Sequence, residues 1–261
     1  MKPVFTMLVG LPGSGKSSLA QEILRRAHDT EDPSSVVWIS SDGIRAERYG
    51  SESVQGTASE VFSLRGKRTK EALRSGCSVI YDATNIRSRY LRSILMELGR
   101  IDCGKVCMIM ATPLDVCVER DRKRDRSVGE QIIRRKMYLN WETPYPQEGW
   151  DRIELHYAEG ARECLGTPEA FVRSVMDFTQ DNPWHKETLG VHMSDAYEYL
   201  VSRGICEPDS NLAIATLIHD CGKPVTRGNL DSRGRPCETT LYYNHENAGG
   251  YNALFFDYSA Y

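Results

Sequence analysis

The sequence predicts an α/β fold: a parallel sheet flanked by helices, followed by an all-α domain. Three observations carry it. Short apolar, β-branched runs alternate with helical patterns through the first half of the chain, as in a sheet wound with crossover helices. A glycine-rich loop joins the first run to the first helix. Past about residue 165 the strand signals give out and helical periodicity takes over, with a break at CLGTPE around Pro168. The domains are therefore expected at 1–165 and 166–261.

VFTMLVG (4–10), SVVWIS (35–40), CSVIYDA (77–83) and KVCMIMAT (105–112) are near-continuous apolar runs, which suits parallel strands covered on both faces. DRIELHY (151–157) supplies a fifth strand. SSLAQEILRRA places Leu19, Ile23 and Ala27 at helical spacing, and SRYLRSILMELG reads as a helix stopped by Gly99. In the second half, GTPEAFVRSVMDFTQ, MSDAYEYLVSRG and NLAIATLIHDCG read as helices. TTLYYN (239–244) is the one strand-like run there, and TRGNLDSRGRPCE (226–238) reads as a polar, mobile loop.

Hydrophobic residues make up 40% of the chain and charged residues 26%, an ordinary globular balance. No apolar run nears the roughly 20 residues a membrane helix needs. The N-terminus leads straight into the glycine-rich loop and does not read as a signal peptide, so a cytoplasmic location is expected. Eight cysteines without a CxxC pair read as reduced, mostly buried thiols rather than a zinc site. Residues 1–165 carry 26 Lys+Arg against 23 Asp+Glu, and residues 166–261 carry 7 against 13. A chain that simply coated nucleic acid would be more basic. A basic half for polyanions and an acidic half for cations fit this division.

The first chemical motif is Gly10-Leu-Pro-Gly13-Ser14-Gly15-Lys16-Ser17, a full GxxxxGK[ST] between a strand and a helix. Its glycines let backbone N–H groups cradle phosphates at a helix N-terminus. Gly13, Ser14, Gly15, Lys16, Ser17 and Ser18 are the nucleotide-binding candidates, with Lys16 on the β/γ-phosphates and Ser17 on Mg²⁺. ATP or GTP fits equally. Ser40-Ser41-Asp42-Gly43-Ile44-Arg45 follows the second strand, where open α/β sheets bind ligands. Asp42 is either a general base for an acceptor hydroxyl or a plain helix N-cap. Arg45, three residues on, is placed to grip an acceptor phosphate. Asp82 ends the third strand, where it can help hold Mg²⁺, and Asn85 just beyond is a candidate acceptor contact; the alternative is a plain strand-ending turn. Residues 119–126, Glu-Arg-Asp-Arg-Lys-Arg-Asp-Arg, are either a solvated charged helix or a lid whose arginines neutralise the transferring phosphoryl group.

GLPGSGKSS, SSDGIR, DATNIRSRY, the arginine-rich segment with SVGEQIIRRKM, and PYPQEGWDRIEL resemble, in order, the 5′-hydroxyl polynucleotide kinase branch of the P-loop phosphotransferases. The resemblance covers residues 1–155 and implies a P-loop kinase-like sheet with an arginine-rich lid. It implies Asp42 as the general base, Arg45 on the acceptor phosphate, and Arg120 and Arg124 on the lid, Arg124 nearer ATP. Lys16, Asp42 and Arg124 are thus the expected catalytic residues. Arg122 and Arg126 have no equivalent in the pattern. Gly129 stands where that family usually has proline, which implies a looser start to the following helix.

In the second half, LIHDCGKP sets His219 beside Asp220 in what reads as an apolar helix. Four of the six histidines, His185, His192, His219 and His245, crowd into this acidic third, and imidazole with carboxylate suits Mn, Ni, Co or a similar divalent transition metal. NPWHKETLGVH, LIHDCGKP and YYNHENAGGY resemble the HD phosphohydrolase superfamily, especially the metal-binding domain attached to bacterial tRNA-nucleotidyl transferases. That resemblance implies His192, His219 and Asp220 as metal ligands, His245 at a second metal or a phosphate, and Lys223 at the scissile phosphate. The family's closing aspartate has only Asp257 as a counterpart, and it comes early for that role: either Asp257 substitutes, or, as the helix-like ending favours, the HD-type domain is incomplete at its C-terminus.

Together the resemblances imply an RNA end-healing enzyme. The kinase, using ATP and Mg²⁺, would phosphorylate 5′-OH ends of RNA or DNA. The metal domain would clear 3′-phosphate or 2′,3′-cyclic phosphate, and a ligase partner would seal the break. A small-molecule kinase fused to a nucleotidase and a non-catalytic nucleotide-dependent module are the alternatives.

Overall fold

The computed structural model describes residues 2–29, 35–54, 56–230 and 235–261. They form two compact units, one of Met1–Ile133 with Thr143–Ala158 and one of Arg134–Glu142 with Glu159–Tyr261. Residues 159–165, expected with the first domain, cluster with the second unit.

The first unit carries five parallel strands: β1 (Val4–Val9), β2 (Val36–Ser40), β3 (Ser78–Asp82), β4 (Gly104–Ala111) and β5 (Arg152–Tyr157), in the order β2-β3-β1-β4-β5. β1 and β3 are mostly apolar because the sheet is covered on both faces, and Phe5, Leu8, Val79 and Ile80 are all buried. Helix α1 (Lys16–His28) packs Leu19, Ala20, Ile23 and Leu24 with Leu8 and Ile80. Full burial of a side chain such as Leu8 or Ile80 is worth roughly 1.5–3 kcal/mol relative to exposure. Four more helices follow: α2 (Ser41–Tyr49), α3 (Ala58–Arg74), α4 (Ser88–Leu98) and α5 (Leu114–Arg122). A single turn, α6 (Glu130–Ile132), then runs into a π-helical turn over Ile133–Met137. The register sets Leu8 and Ser40 both opposite Asp82. The carboxyl ends of β1, β2 and β3 therefore bring the glycine-rich loop, the start of α2 and Asp82 to one edge of the sheet, the edge where open α/β sheets bind ligands.

The second unit holds α7 (Pro168–Ser174), α8 (Leu189–Ser202), α9 (Asn211–Leu217), α10 (Lys223–Thr226) and α11 (His245–Asn252). It also holds an antiparallel hairpin of β6 (Gly228–Leu230) and β7 (Pro236–Leu241). The hairpin corrects both the all-α expectation and the loop expected over 226–238. A three-residue strand of Gly, Asn and Leu offers no alternation to read, and residues 231–234 of that stretch lie outside the described residues. The helix expected over 166–180 stops at Ser174, because the carbonyls of Val175 and Phe178 accept from Gly190 and Leu189 at the start of α8 (3.0 and 2.9 Å). Val172, Val175, Leu189, Met193 and Leu217 form one core. Trp141 and Tyr138 stack edge-on against Tyr251 at 4.8 and 5.5 Å. Residues 159–166 are tied in by Leu165 N–H to Phe255 O (3.0 Å) and Asp257 N–H to Gly166 O (2.8 Å). The cysteines are free thiols, with Cys103, Cys107, Cys117 and Cys221 buried and Cys164 exposed. Among the described residues no helix is long and apolar enough to cross a membrane.

Candidate functional site

The loop from β1 into α1 takes its shape from its glycines. Gly13 and Gly15 have φ of 79° and 97°, the left-handed region that an L side chain disfavours. A Cβ on Gly13 would also overlap the Cys117 carbonyl oxygen. The loop is tied down by Thr112 Oγ1 donating to Ser14 O (3.0 Å) and by Gly10 N–H donating to Thr84 O (3.3 Å). Lys16 lies across it, its Nζ donating to Gly10 O (2.9 Å) and Leu11 O (2.8 Å). Burial pushes the Lys16 ammonium below its ordinary range, while Asp82 opposes that shift. Ser17 Oγ donates to Asp82 Oδ2 (3.2 Å), so the hydroxyl and carboxylate expected at Mg²⁺ are already neighbours. Burial pushes Asp82 up, against Lys16 and Ser17. Ser18 is exposed on the first turn of α1. Hydroxyl and carboxylate oxygens suit a hard cation, and the lysine beside them suits the phosphates such a cation accompanies.

Asn85 is buried at φ 47°, with its amide donating to Leu8 O (3.0 Å). One N–H of that amide is thus committed to the end of β1. Asp42 is not the cap of α2. That position belongs to Ser40, whose hydroxyl accepts from Gly43 N–H (2.9 Å). Asp42 instead stands in the first turn, with its side chain 48% exposed, and within electrostatic reach of both Lys16 and Asp82. Arg45 Nη1 reaches its Oδ1 at 2.8 Å, and Arg126 Nη1 reaches the same oxygen at 3.3 Å. The preceding residue, Ser41, accepts from Arg65 Nη1 (2.7 Å). Arg65 is buried, and its guanidinium lies over the Tyr81 ring at 4.2 Å.

The charged segment is part helix, part organised loop. The Arg120 guanidinium lies beside Gly15, and Arg124 is close enough to Lys16 to oppose its charge. Arg122 pairs with Glu130, and Lys123 with Glu119 (2.6 Å). The centre of the loop is Asp121, 1% exposed, which accepts from Ser127 Oγ (2.7 Å), Val128 N–H (2.9 Å) and Gly129 N–H (3.0 Å). Burial works against its charge, but the Gly129, Ser127 and Val128 donors outweigh it and hold the carboxyl below its usual range. The looser helix start expected at Gly129 is corrected here. Gly129 sits at φ 94°, which proline's ring forbids, and its N–H is one that proline lacks. Arg126 lies in the segment read as a charged helix or a lid but carries no role of its own there, and nothing in their spacing distinguishes Asp121 and Arg65 from other charges.

The second unit gathers its histidines around one carboxylate. His219 and Asp220 lie in the turn between α9 and α10, not in a helix as the apolar pattern implied, because α9 ends at Leu217. His192, from α8, and His219 bring their Nε2 atoms within 3.2 Å of each other, and these lie 3.5 and 3.3 Å from Asp220 Oδ2. The three side chains offer ligand atoms all within 4.8 Å of one another. His219 Nδ1 faces Thr216 O (2.7 Å), which leaves Nε2 turned inward, the arrangement usual for a metal-binding imidazole. His245 Nε2 meets the other oxygen, Asp220 Oδ1 (3.2 Å), so it is brought to the cluster but stands outside that triad. Lys223 is buried, with Nζ 2.6 Å from Asp220 Oδ2, 2.8 Å from Gln180 Oε1 and 3.4 Å from His185 Nε2. Burial opposes the Asp220 charge, but donors from His219, His245 and Lys223 hold the carboxyl far below its ordinary range. Asp220 in turn raises His219 and His245, while burial lowers His192 and His185. Asp257 spends its carboxylate on Ser259 N–H (2.9 Å) and is not among the clustered ligands.

Set against known proteins, residues 5–137 match the family model AAA_33, described as an AAA domain. Two curated relatives are similar. One is transcription factor bHLH140 of Arabidopsis thaliana, 27% identical over 166 residues, 60% of this chain and 16% of that protein. The other is L-seryl-tRNA(Sec) kinase of Methanococcus maripaludis, 26% identical over 152 residues, 57% of this chain and 56% of that one. The chain thus spans less than two thirds of the length of either. Among solved structures, a chain of the Pnkp1/Rnl/Hen1 RNA repair complex is similar at 25% identity and a TM-score of 0.44, covering 52% of this chain and 43% of that one.

Proposed function

The chain belongs to the AAA_33 family of AAA domains, and from that premise we propose that its first unit is an ATP-dependent kinase of 5′-hydroxyl polynucleotide ends. The observation that carries the reading is Asp42, a half-exposed carboxylate bound by Arg45 and Arg126 on the phosphate-loop edge of the sheet. A phosphate loop alone serves hydrolases and motors as well as kinases. A carboxylate within reach of Lys16, with arginines around it, suits an acceptor that presents a hydroxyl next to an anion. The similar L-seryl-tRNA(Sec) kinase, by its name a kinase with an RNA-linked acceptor, supports the same class.

In this reading Ser17 and Asp82 would hold Mg²⁺, which when bound would offset charge on the ATP phosphates. Lys16 and the N–H groups of residues 13–18 bind the β- and γ-phosphates, while Arg120 and Arg124 offset charge on the transferring group. Asp42 accepts the hydroxyl proton as the acceptor oxygen bonds to phosphorus, and Arg45 holds the neighbouring phosphate.

The second unit is proposed to be a metal-dependent phosphohydrolase acting on 3′-phosphate or 2′,3′-cyclic phosphate ends. His192, His219 and Asp220 would hold a divalent transition metal, which supplies an activated water when bound. Lys223 would meet the phosphoester oxygens. The resulting 5′-phosphate and 3′-hydroxyl are the ends an RNA ligase joins, which makes such a ligase the fitting partner. The test is transfer of labelled γ-phosphate from ATP to a 5′-OH RNA oligonucleotide. Asp42→Asn is expected to lose roughly 10²–10⁴-fold in rate, and Lys16→Ala to lose transfer. Mononucleosides out-competing every oligonucleotide would overturn the polynucleotide assignment in favour of a small-molecule kinase.

A further inference from the structure

Resting on the kinase reading, we propose that Arg126 is a positioning residue for Asp42. With Arg45 it fixes the carboxylate through Oδ1 and leaves Oδ2 to take the acceptor's proton.

Both guanidinia address one oxygen, Arg45 at 2.8 Å and Arg126 at 3.3 Å. Among the described residues, Oδ2 has no hydrogen-bond partner. A partly exposed pair between residues three apart on one helix is a weak restraint, so Arg45 alone leaves the carboxylate freer to turn. Arg126 adds a cation from 84 residues away, and two cations on one oxygen set the plane of the group. The loop that brings Arg126 is itself fixed, because Ser127, Val128 and Gly129, the next three residues, all donate to buried Asp121. On the other side, Arg65 holds Ser41, the residue before Asp42, from within α3. The charged groups facing Asp42 are therefore Arg45 of α2, Arg126 of the loop after α5 and Arg65 of α3 through Ser41, with Lys16 and Asp82 in electrostatic reach.

During transfer the proton passes from the acceptor hydroxyl to Oδ2 as the oxygen–phosphorus bond forms. The bond between the γ-phosphorus and its bridging oxygen breaks, and its electron pair leaves with ADP. The segment that carries Arg120 and Arg124 also carries Arg126, so one loop that serves the donor also readies the base.

The experiment uses the full chain and the variants Arg126→Ala and Arg126→Lys in two arms. In the first, steady-state transfer to a 5′-OH oligonucleotide is measured. Arg126→Ala is expected to lower kcat roughly 10–100-fold, part of what a positioned base contributes, with KM for ATP changed by less than about threefold. Arg126→Lys, which keeps the charge, is expected to recover part of the loss. A merely structural role would raise KM for ATP as well. The second arm needs no acceptor: carbodiimide coupling of carboxyls, read by peptide mass spectrometry. Asp42 is expected to react several-fold faster in Arg126→Ala, while the exposed Asp102 does not change. A kcat within twofold of wild type, or unchanged coupling at Asp42, overturns the proposal. Wild-type protein that phosphorylates no 5′-OH end overturns the kinase reading instead, and the coupling arm still decides whether Arg126 governs Asp42.

Discussion

Asp121→Asn removes one charge and keeps the shape, which makes it a clean test of how the arginine loop is held. In the wild type three donors converge on one buried oxygen, Oδ2: Ser127 Oγ at 2.7 Å, Val128 N–H at 2.9 Å and Gly129 N–H at 3.0 Å. A hydrogen bond to a charged group is worth about 1.5–3 kcal/mol and a neutral one about 0.5–1.5 kcal/mol. Each of the three bonds therefore weakens by about 1 kcal/mol when the acceptor becomes an amide oxygen, and the loop opens more easily by about 2–3 kcal/mol. At 1.4 kcal/mol per factor of ten, that is roughly a 30- to 150-fold rise in opening. Amide hydrogen exchange at Val128 and Gly129 reads it directly, since those N–H groups are the donors. The sign with pH follows from the depressed Asp121 carboxyl. Its contribution is fully present above the unfolded aspartate value of about 3.9 and is lost as pH falls through the lower folded value, where the two proteins converge. Exchange at both amides within about threefold of wild type at neutral pH would refute the loop's dependence on this charge.

Three further substitutions test the remaining contacts. Gly13→Ala forces a side chain to φ 79° against the Cys117 carbonyl. The left-handed strain alone costs roughly 1–2 kcal/mol, so ATP affinity measured by calorimetry is expected to fall at least about fivefold, and unchanged affinity would contradict the loop geometry. Gly222→Ala places a methyl group over the His245 carbonyl and 2.6 Å from Gly249 N. Overpacking of this kind costs about 1–3 kcal/mol, visible as faster amide exchange in α10 and α11, and equal exchange would count against the close approach. Asp220→Asn removes the carboxylate shared by His192, His219 and His245. Retained Mn, Ni or Co after dialysis, read by elemental analysis, is expected to drop several-fold, and equal loading in wild type and variant would remove Asp220 from the proposed metal site.

Much of the first unit was legible because its signals are local. The apolar runs delivered all five strands to within a few residues, and GxxxxGKS in its strand–helix setting predicted the loop at Gly13 and Gly15. What stayed hidden was set by distance in sequence. α3 escaped notice, and with it Arg65, a charged residue buried over Tyr81 and bonded to Ser41, which no pattern within α3 announces. Asp121 and Arg126 sit in a run of alternating charge, and only the folded loop shows that one is buried and the other reaches Asp42. In the second half, the apolar surroundings of His219 and Asp220 suggest a helix, but burial of Leu217 beside Leu189 and Met193, and of Ile218 and Cys221 beside Phe256, explains that apolarity equally well. Gly222 lies against the His245 carbonyl, a contact 23 positions apart that a single sequence does not reveal.

The two aspartates at the strand ends show why position at the sheet edge alone does not assign chemistry. Asp82 is buried, accepts from Ser17 and lies near Lys16. Its environment is closed to a bulky acceptor and suits a small hard cation. Asp42 is half-exposed, is free of the capping duty that Ser40 performs, and is held on one oxygen by arginines from two elements. An exposed carboxylate oriented by cations is open to a hydroxyl approaching from solvent, whereas a buried one bonded to a phosphate-loop serine is not. The proposed division of labour, Asp82 as metal holder and Asp42 as proton acceptor, rests on burial and on which partners each oxygen already has. Exchanging the roles would require moving Arg126, and so the loop that Asp121 holds, rather than changing either aspartate.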